Sequence, residues 1–190
     1  KKERLNYRIK VKVNNLKKNF LISNNFESNI YNVLATLAIM SIYINISKID
    51  KHIFLNFKTP GGRGDFSKIK IDNKNINLID ESYNSNPLSL KSAILNYNKV
   101  VSKKKSKRYL LLGDMLELGN HSKKLHETIV PVINKARIDK VFVKGKMATY
   151  IFDKLLKSKK GRILYNKSQI IELIKNDLNN NDYLMVKASN

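Results

Sequence analysis

Cysteine is absent from all 190 residues, which excludes a disulfide framework, a thiolate nucleophile and any zinc site built on Cys. A reducing compartment suits such a chain, and the cytoplasm is the expectation. Long apolar runs are also missing. The most apolar stretch, Val33 to Ile46, is interrupted by Thr36, Ser41 and Asn45, so no membrane span is expected, and no leader of charged, apolar and small residues opens the sequence. Acidic residues are scarce, 15 against 37 Lys and Arg, which leaves a formal net charge of +22. An excess of that size suits a polyanion-binding surface. The lysines, however, are scattered over helices, strands and loops, without a basic stripe interleaved with aromatics. No specific nucleic-acid partner is expected, although a basic α/β module that binds polyanions stays open as the non-enzyme alternative. The densest run, Lys103-Lys104-Lys105 with Lys107 and Arg108, falls between a helix pattern and a strand and reads as a solvated loop.

Glycine is sparse too, and its placement is informative. Three of the seven glycines fall within Pro60-Gly61-Gly62-Arg63-Gly64, where we place a domain boundary and a candidate hinge. Before it, Leu5, Tyr7, Ile9, Val11 and Val13 alternate with polar residues as in a half-buried strand. Asn14-Asn15 supplies a turn, and Phe20-Leu21-Ile22 the returning strand. From Ile30 the period becomes helical through Val33, Leu34, Leu37, Ala38 and Ser41, and a buried helix is expected.

Beyond the boundary, strands and helices alternate. Ile76–Asp80, Tyr109–Leu112, Val141–Val143, Ile163–Tyr165 and Tyr183–Val186 read as strands. Ser89–Val101, Ser122–Ala136, Ala148–Leu156 and Gln169–Leu178 read as helices. That order predicts an α/β fold, a Rossmann-like and mostly parallel sheet with helices on both faces, preceded by the hairpin and helix of residues 1–58. Ligands gather at the carboxyl ends of strands in such sheets. The loops after Ile79, Leu112 and Val186 are therefore the candidate site.

Two of these loops are dense in polar groups. Asp80-Glu81-Ser82-Tyr83-Asn84-Ser85-Asn86-Pro87 combines two carboxylates, a phenol and two carboxamides, though turn and N-cap chemistry alone would also favour Asn, Ser and Pro there. Gly113-Asp114-Met115-Leu116-Glu117-Leu118-Gly119 follows the next strand, with Gly113 suited to a tight turn and Asp114 to a helix cap. His121 and His126 lie five apart, off the shared face a helical metal pair needs, and read as surface or supporting residues.

Taken together, Asn29-Ile30-Tyr31-Asn32-Val33-Leu34-Ala35, Gly62-Arg63, the Asp80–Pro87 loop, the Gly113–Gly119 loop and Val186-Lys187-Ala188-Ser189-Asn190 resemble, in that order, motifs of the Mur ligase family. The resemblance covers nearly the whole chain. It implies an ATP-dependent, carbon–nitrogen bond-forming enzyme of peptidoglycan synthesis whose partners are a UDP-N-acetylmuramoyl-tripeptide and D-alanyl-D-alanine, acting as a monomer. Another member of the family or a folylpolyglutamate synthase relative is the second enzyme reading. Residues 1–58 are expected to be the tail of the central ATP-binding domain and residues 59–190 the C-terminal domain, with both ends cut.

By the same resemblance, Asn29 and Asn32 would pair with adenine and Arg63 would reach the terminal phosphate. Glu81 would accept from the ribose hydroxyls, with Asp80 as the fallback. Tyr83, Asn84 and Asn86 would line the nucleotide and acyl-phosphate side. Asp114, Glu117, Lys187 and Ser189 would lie toward the amino-acid substrates; a solvated lysine closing a strand is the plainer account of Lys187. Two positions depart from the family pattern: Phe26-Glu27-Ser28 replaces a Gly and a His before the first Asn, and Ala188 stands where Lys-Gly-Ser has Gly. No G-x-x-x-x-G-K-[ST] loop occurs, so the Mg2+ ligands are expected upstream and this stretch alone should not catalyse.

Overall fold

The computed structural model of the protein describes residues 7–13, 15–22, 27–56, 61–100 and 105–189. Leu5, Asn14, Phe26, Pro60, Val101, the Lys103-Lys104 pair, Asn190 and the side chains of Glu27 and Ser28 lie outside the described residues. The chain separates into two compact units, Lys1–Lys58 and Thr59–Asn190, each with its own core.

In the first unit, β1 (Tyr7–Val13) and β2 (Leu16–Ile22) form an antiparallel hairpin with Val13 opposite Leu16 and Asn15 at φ 64°. Asn is among the few side chains that tolerate that region. α1 (Glu27–Tyr43) lays Val33 and Leu37 onto Val11, Phe20 and Ile22. The expectation of a buried helix is corrected here. Only one stripe of α1 is covered, and Leu34, Ile39, Ile42 and Tyr43 are exposed. Among the described residues of this unit, no further element covers the rest of the helix surface, Leu34 included.

The second unit is a six-stranded sheet of β3 (Asp65–Ile71), β4 (Lys74–Glu81), β5 (Arg108–Leu112), β6 (Lys140–Val143), β7 (Lys160–Ile163) and β8 (Tyr183–Lys187), in the spatial order β3-β4-β8-β5-β6-β7. Every pairing is parallel except β3 with β4. All five residues of β5 are buried. Leu110 and Leu112 face one core, with Leu90, Ile94 and Tyr97 of α2 (Pro87–Lys99), Ile133 of α4 (Val130–Lys135) and Ile151 of α5 (Lys146–Lys154). Tyr109 and Leu111 face the other, with Phe142, Leu164, Leu173 and Leu178. The side-chain period of two thus fills both faces, as parallel strands require.

Three differences from the expected elements have identifiable causes. The antiparallel edge strand β3 carries Lys68, Lys70 and Ser67 outward and pairs through a two-residue turn, Asp72-Asn73, with Asp72 at φ 52°. Its Lys-Ile-Lys-Ile alternation was the available signal. The single helix expected over Ser122–Ala136 is instead α3 (Ser122–Glu127) and α4, because Pro131 has no N–H to continue the ladder. α6 (Lys167–Glu172) is capped by Asn166 and widens into a π turn over Leu173–Asp177.

The lysine excess finds internal acceptors. Lys18, Lys74, Lys140, Lys159 and Lys160 each donate to backbone carbonyls. With few carboxylates available, these ammonium groups satisfy carbonyls in the last turns of helices and at strand and loop ends instead.

Candidate functional site

The carboxyl ends of β4, β8 and β5 lie side by side, with Glu81 opposite Lys187 and Lys187 opposite Leu112. Parallel pairing in this strand order therefore brings the loops after the three strands together.

Beside β4, the Gly61–Gly64 segment is tied to the strand. The Gly64 N–H donates to Asp80 O at 2.8 Å, the Tyr83 N–H to Gly62 O at 3.1 Å, and the Gly62 N–H to Asp65 Oδ2 at 3.0 Å. Gly62 has φ 76°, and a Cβ there would stand 2.9 Å from Tyr83 N. Only glycine permits that approach. Within the second unit, the Gly61–Gly64 segment is thus held to the sheet. Arg63 projects from this pinned segment and is exposed, its guanidinium stacked 4.1 Å from the Tyr83 ring centroid. Stacking leaves the in-plane N–H fork available to an anion.

Glu81 lies against the glycine segment, with its Oε1 3.2 Å from where a Cβ on Gly64 would be. Burial raises its carboxyl above the usual range; Lys187 and Arg63 oppose that shift, and Asp80 and Asp65 add to it. Asp80 is differently employed, because its Oδ1 accepts from Ser82 N at 3.0 Å and Ser82 Oγ at 2.6 Å. Of the two adjacent acids, Asp80 holds the turn.

In the following loop, Asn84 Oδ1 accepts from Ser85 N at 2.7 Å. Asn86 caps α2: its Oδ1 accepts from Ser89 N at 2.8 Å while Ser89 Oγ accepts from Asn86 N at 3.0 Å, with Pro87 at the first helical position. The N-cap chemistry weighed from the sequence is thus real for Asn86.

Lys187, at 2% exposure, is not the solvated lysine of the plainer reading. Its ammonium donates to Glu81 O at 3.1 Å and to Asn84 O, and burial lowers its pKa against the opposing pull of Glu81. Ser189 Oγ meets Ser85, Asn84 and Leu116. Ala188 presses its methyl toward Gly113, where a Cβ would be only 2.6 Å away, so Gly113 accommodates the alanine.

After β5, Asp114 Oδ1 accepts from Ala148 N at 2.7 Å, near the start of α5. It caps a distant helix rather than one in its own loop. Gly145, at φ 121°, leaves room for that carboxylate, which a Cβ would approach within 2.3 Å. His126 is fully buried, which decides for the supporting role over the surface one. Its Nε2 accepts from Met115 N at 2.9 Å and its Nδ1 donates to Ser122 O at 2.8 Å, anchoring the loop to α3. His121 is exposed, as is Glu117, whose φ is 62°. These loops border an open pocket of about 320 Å³ whose lining includes Gly113, Asp114, Leu116, Lys144, Gly145 and Ser189.

Asn29 and Asn32 sit on α1 in the first unit, half-buried and exposed respectively. Among the described residues no group of three or more His, Cys, Asp or Glu could hold a metal ion, and no helix is long and apolar enough to cross a membrane.

Residues 66–190 match the family model described as Mur ligase, glutamate ligase domain. The chain belongs to the Mur ligase family. Among proteins similar to it is the UDP-N-acetylmuramoyl-tripeptide-D-alanyl-D-alanine ligase of Bacillus subtilis (strain 168), 32% identical over 165 residues, covering 85% of this chain and 35% of that protein. The ligase of the same name from Rickettsia prowazekii (strain Madrid E) is 30% identical over 168 residues, covering 88% of this chain and 35% of that one. The chain thus spans about a third of the length of these relatives. A MurF ligase from Thermotoga maritima, solved in complex with ADP, has a similar fold, with a TM-score of 0.75 at 20% identity over 97% of this chain and 40% of that one.

Within this Mur ligase domain, the loops after β4, β5 and β8 were legible in the sequence, whereas the Lys144-Gly145 segment after β6, which also lines the pocket, was not. Gly145 acts on the distant Asp114 and Ser85 contributes through its backbone, so neither has a local signature. Arg63, Asn29 and Asn32 precede the matched residues.

Proposed function

We propose that the chain is the C-terminal part of an ATP-dependent ligase that adds D-alanyl-D-alanine to a UDP-N-acetylmuramoyl-tripeptide. The observation that carries this reading is the similarity, over more than four-fifths of the chain, to ligases of that name. Residues 1–58 would be the tail of the central ATP-binding domain and residues 59–190 its C-terminal neighbour. The exposed apolar side of α1 suits an element completed by further sequence.

In the proposed reaction, the terminal phosphoryl group of ATP passes to the tripeptide carboxylate. The amine of D-alanyl-D-alanine attacks the acyl phosphate, and the tetrahedral intermediate expels phosphate to leave the amide. Positioning and charge neutralisation are the protein's tasks. Arg63, with its guanidinium plane held on Tyr83, would meet the terminal phosphate, where its fork can bind two oxygens. Glu81 would accept from the ribose hydroxyls, a task that suits it better than Asp80, whose carboxylate already holds Ser82. Asn29 and Asn32 would pair with adenine. Tyr83, Asn84 and Asn86 would border the phosphates. The pocket whose lining includes Asp114 and Ser189, with Glu117 in the adjoining loop, would take the amino-acid substrates, while Lys187, whose ammonium turns onto Glu81 O and Asn84 O, would hold the neighbouring loop after β4. Mg2+ would neutralise phosphate charge from ligands outside this chain.

The test uses the full-length parent protein with ATP, Mg2+, the UDP-linked tripeptide and D-alanyl-D-alanine. Phosphate release should require both the tripeptide and the dipeptide. Release undiminished without the dipeptide would overturn the reading.

A further inference from the structure

Ser189 closes the chain's last described strand exit, and its hydroxyl is the point at which three loops meet. A serine hydroxyl has one hydrogen to donate and two lone pairs to accept with. Ser189 Oγ accepts from the Leu116 N–H of the loop after β5, at 3.2 Å, and from the Ser85 N–H of the loop after β4, at 3.0 Å. Its own hydrogen has two acceptors within reach, Asn84 Oδ1 at 3.1 Å and Ser85 O at 3.0 Å. The hydroxyl is therefore saturated by the protein. A substrate could bond it only by displacing one of these partners. The resemblance to the family places Ser189 toward the substrates; the hydrogen-bond count gives it a different task.

We infer that Ser189 is a positioning residue, a clasp whose hydroxyl sets the loops after β4 and β5 relative to each other and does not itself contact substrate. The loops it joins carry Tyr83, Asn84 and Asn86 on one side and Asp114 and Glu117 on the other, so the clasp spans the nucleotide and amino-acid halves of the proposed site. Neighbouring backbone contacts lock the same corner. The Gly113 N–H donates to Lys187 O at 2.8 Å and the Ser189 N–H to Asp114 O at 3.1 Å. These bonds hold the β8 exit to β5, and the hydroxyl then reaches back to the loop after β4. The consequence for catalysis rests on the proposed function, whereas the clasp itself does not.

Amide hydrogen exchange on the 190-residue chain tests the clasp without any substrate. In Ser189→Ala the Leu116 amide, whose partner is the Ser189 hydroxyl, should exchange roughly tenfold faster, the scale of one lost hydrogen bond. The Ser85 amide, shared with Asn84 Oδ1, should respond less. The Met115 amide, held by His126, and the strand amides of Leu110 and Met185 should stay as in the wild type, which checks that the variant is folded. Ser189→Thr keeps the hydroxyl and should restore Leu116 protection. Unchanged Leu116 exchange in a folded Ser189→Ala variant overturns the clasp. If Ser189→Ala does not fold, Ser189→Thr decides: wild-type Leu116 protection supports the clasp and lost protection overturns it. In the full-length parent, Ser189→Ala should lower kcat and be rescued by threonine. A rise confined to the KM of one substrate, with Leu116 still protected, would make Ser189 a ligand for that substrate and overturn the proposal. A parent without ligase activity, but with the exchange pattern above, would leave the clasp standing and remove only the functional reading.

Discussion

Replacing Asp114 separates a structural duty of its carboxylate from a substrate-facing one. Its Oδ1 accepts from Ala148 N at 2.7 Å, at the start of a nine-residue helix whose own N-cap residue, Gly145, has no side chain to serve as a cap. Asp114→Ala removes that acceptor, at a cost of about 0.5–2 kcal/mol for a lost cap, and removes an anion from a helix N-terminus, about 0.3–1 kcal/mol more. The sum, about 1–3 kcal/mol, corresponds to a rise of roughly five- to 150-fold in the globally opened population of the second unit. Asp114→Asn keeps an oxygen acceptor and forfeits only the charge, so its cost should stay below about 1 kcal/mol. Native-state hydrogen exchange on the chain reads both effects, with Ala148 as the local reporter and the buried β5 and β8 amides of Leu110 and Met185 as global ones. Equal protection in wild type and Asp114→Ala, or equal damage from Ala and Asn, would refute the capping argument. Where Asp114→Asn retains protection, a loss of turnover in the parent enzyme then reports on the charge alone.

Three further expectations follow from the same geometry. Burial raises the Glu81 pKa in the native state, so the native form holds its proton more tightly than the unfolded chain, and stability declines as pH rises through that native pKa. Glu81→Gln should therefore raise the melting temperature at pH 7, with the advantage over wild type vanishing below the ordinary glutamate pKa; a lower melting temperature at pH 7 would contradict the burial argument. His126→Ala should destabilise the second unit by about 3–5 kcal/mol, since it opens a cavity and strands the Met115 N–H; urea unfolding with an unchanged midpoint would count against this. Gly62→Ala forces a side chain into positive φ, about 1–2 kcal/mol of strain, and pushes a Cβ against Tyr83 N. It should cost stability and disturb the Arg63–Tyr83 stack, and unaltered Tyr83 fluorescence and urea midpoint together would show that the loop yields.

Sequence alone determined which residues alternate with period two and which with period 3.6, and therefore the α/β class, the run of parallel strands and the position of the polar loops at their carboxyl ends. It also carried the family, because the Asp80–Pro87 and Gly113–Gly119 loops are contiguous motifs. Such features are local, and propensity and periodicity act over a few residues. The spatial order of the strands, and with it the placement of β8 between β4 and β5, was decided only by tertiary packing. So was the fate of individual polar groups. Lys187 reads as a surface residue by type, yet the insertion of its strand into the middle of the sheet buries it and turns its ammonium onto two carbonyls. Asp114 could have capped the helix in its own loop; parallel pairing of β5 with β6 brought α5 to it instead. Ser189 became a junction because three strand ends converge there, a relation among residues more than 70 and 100 positions apart that no short window of sequence contains.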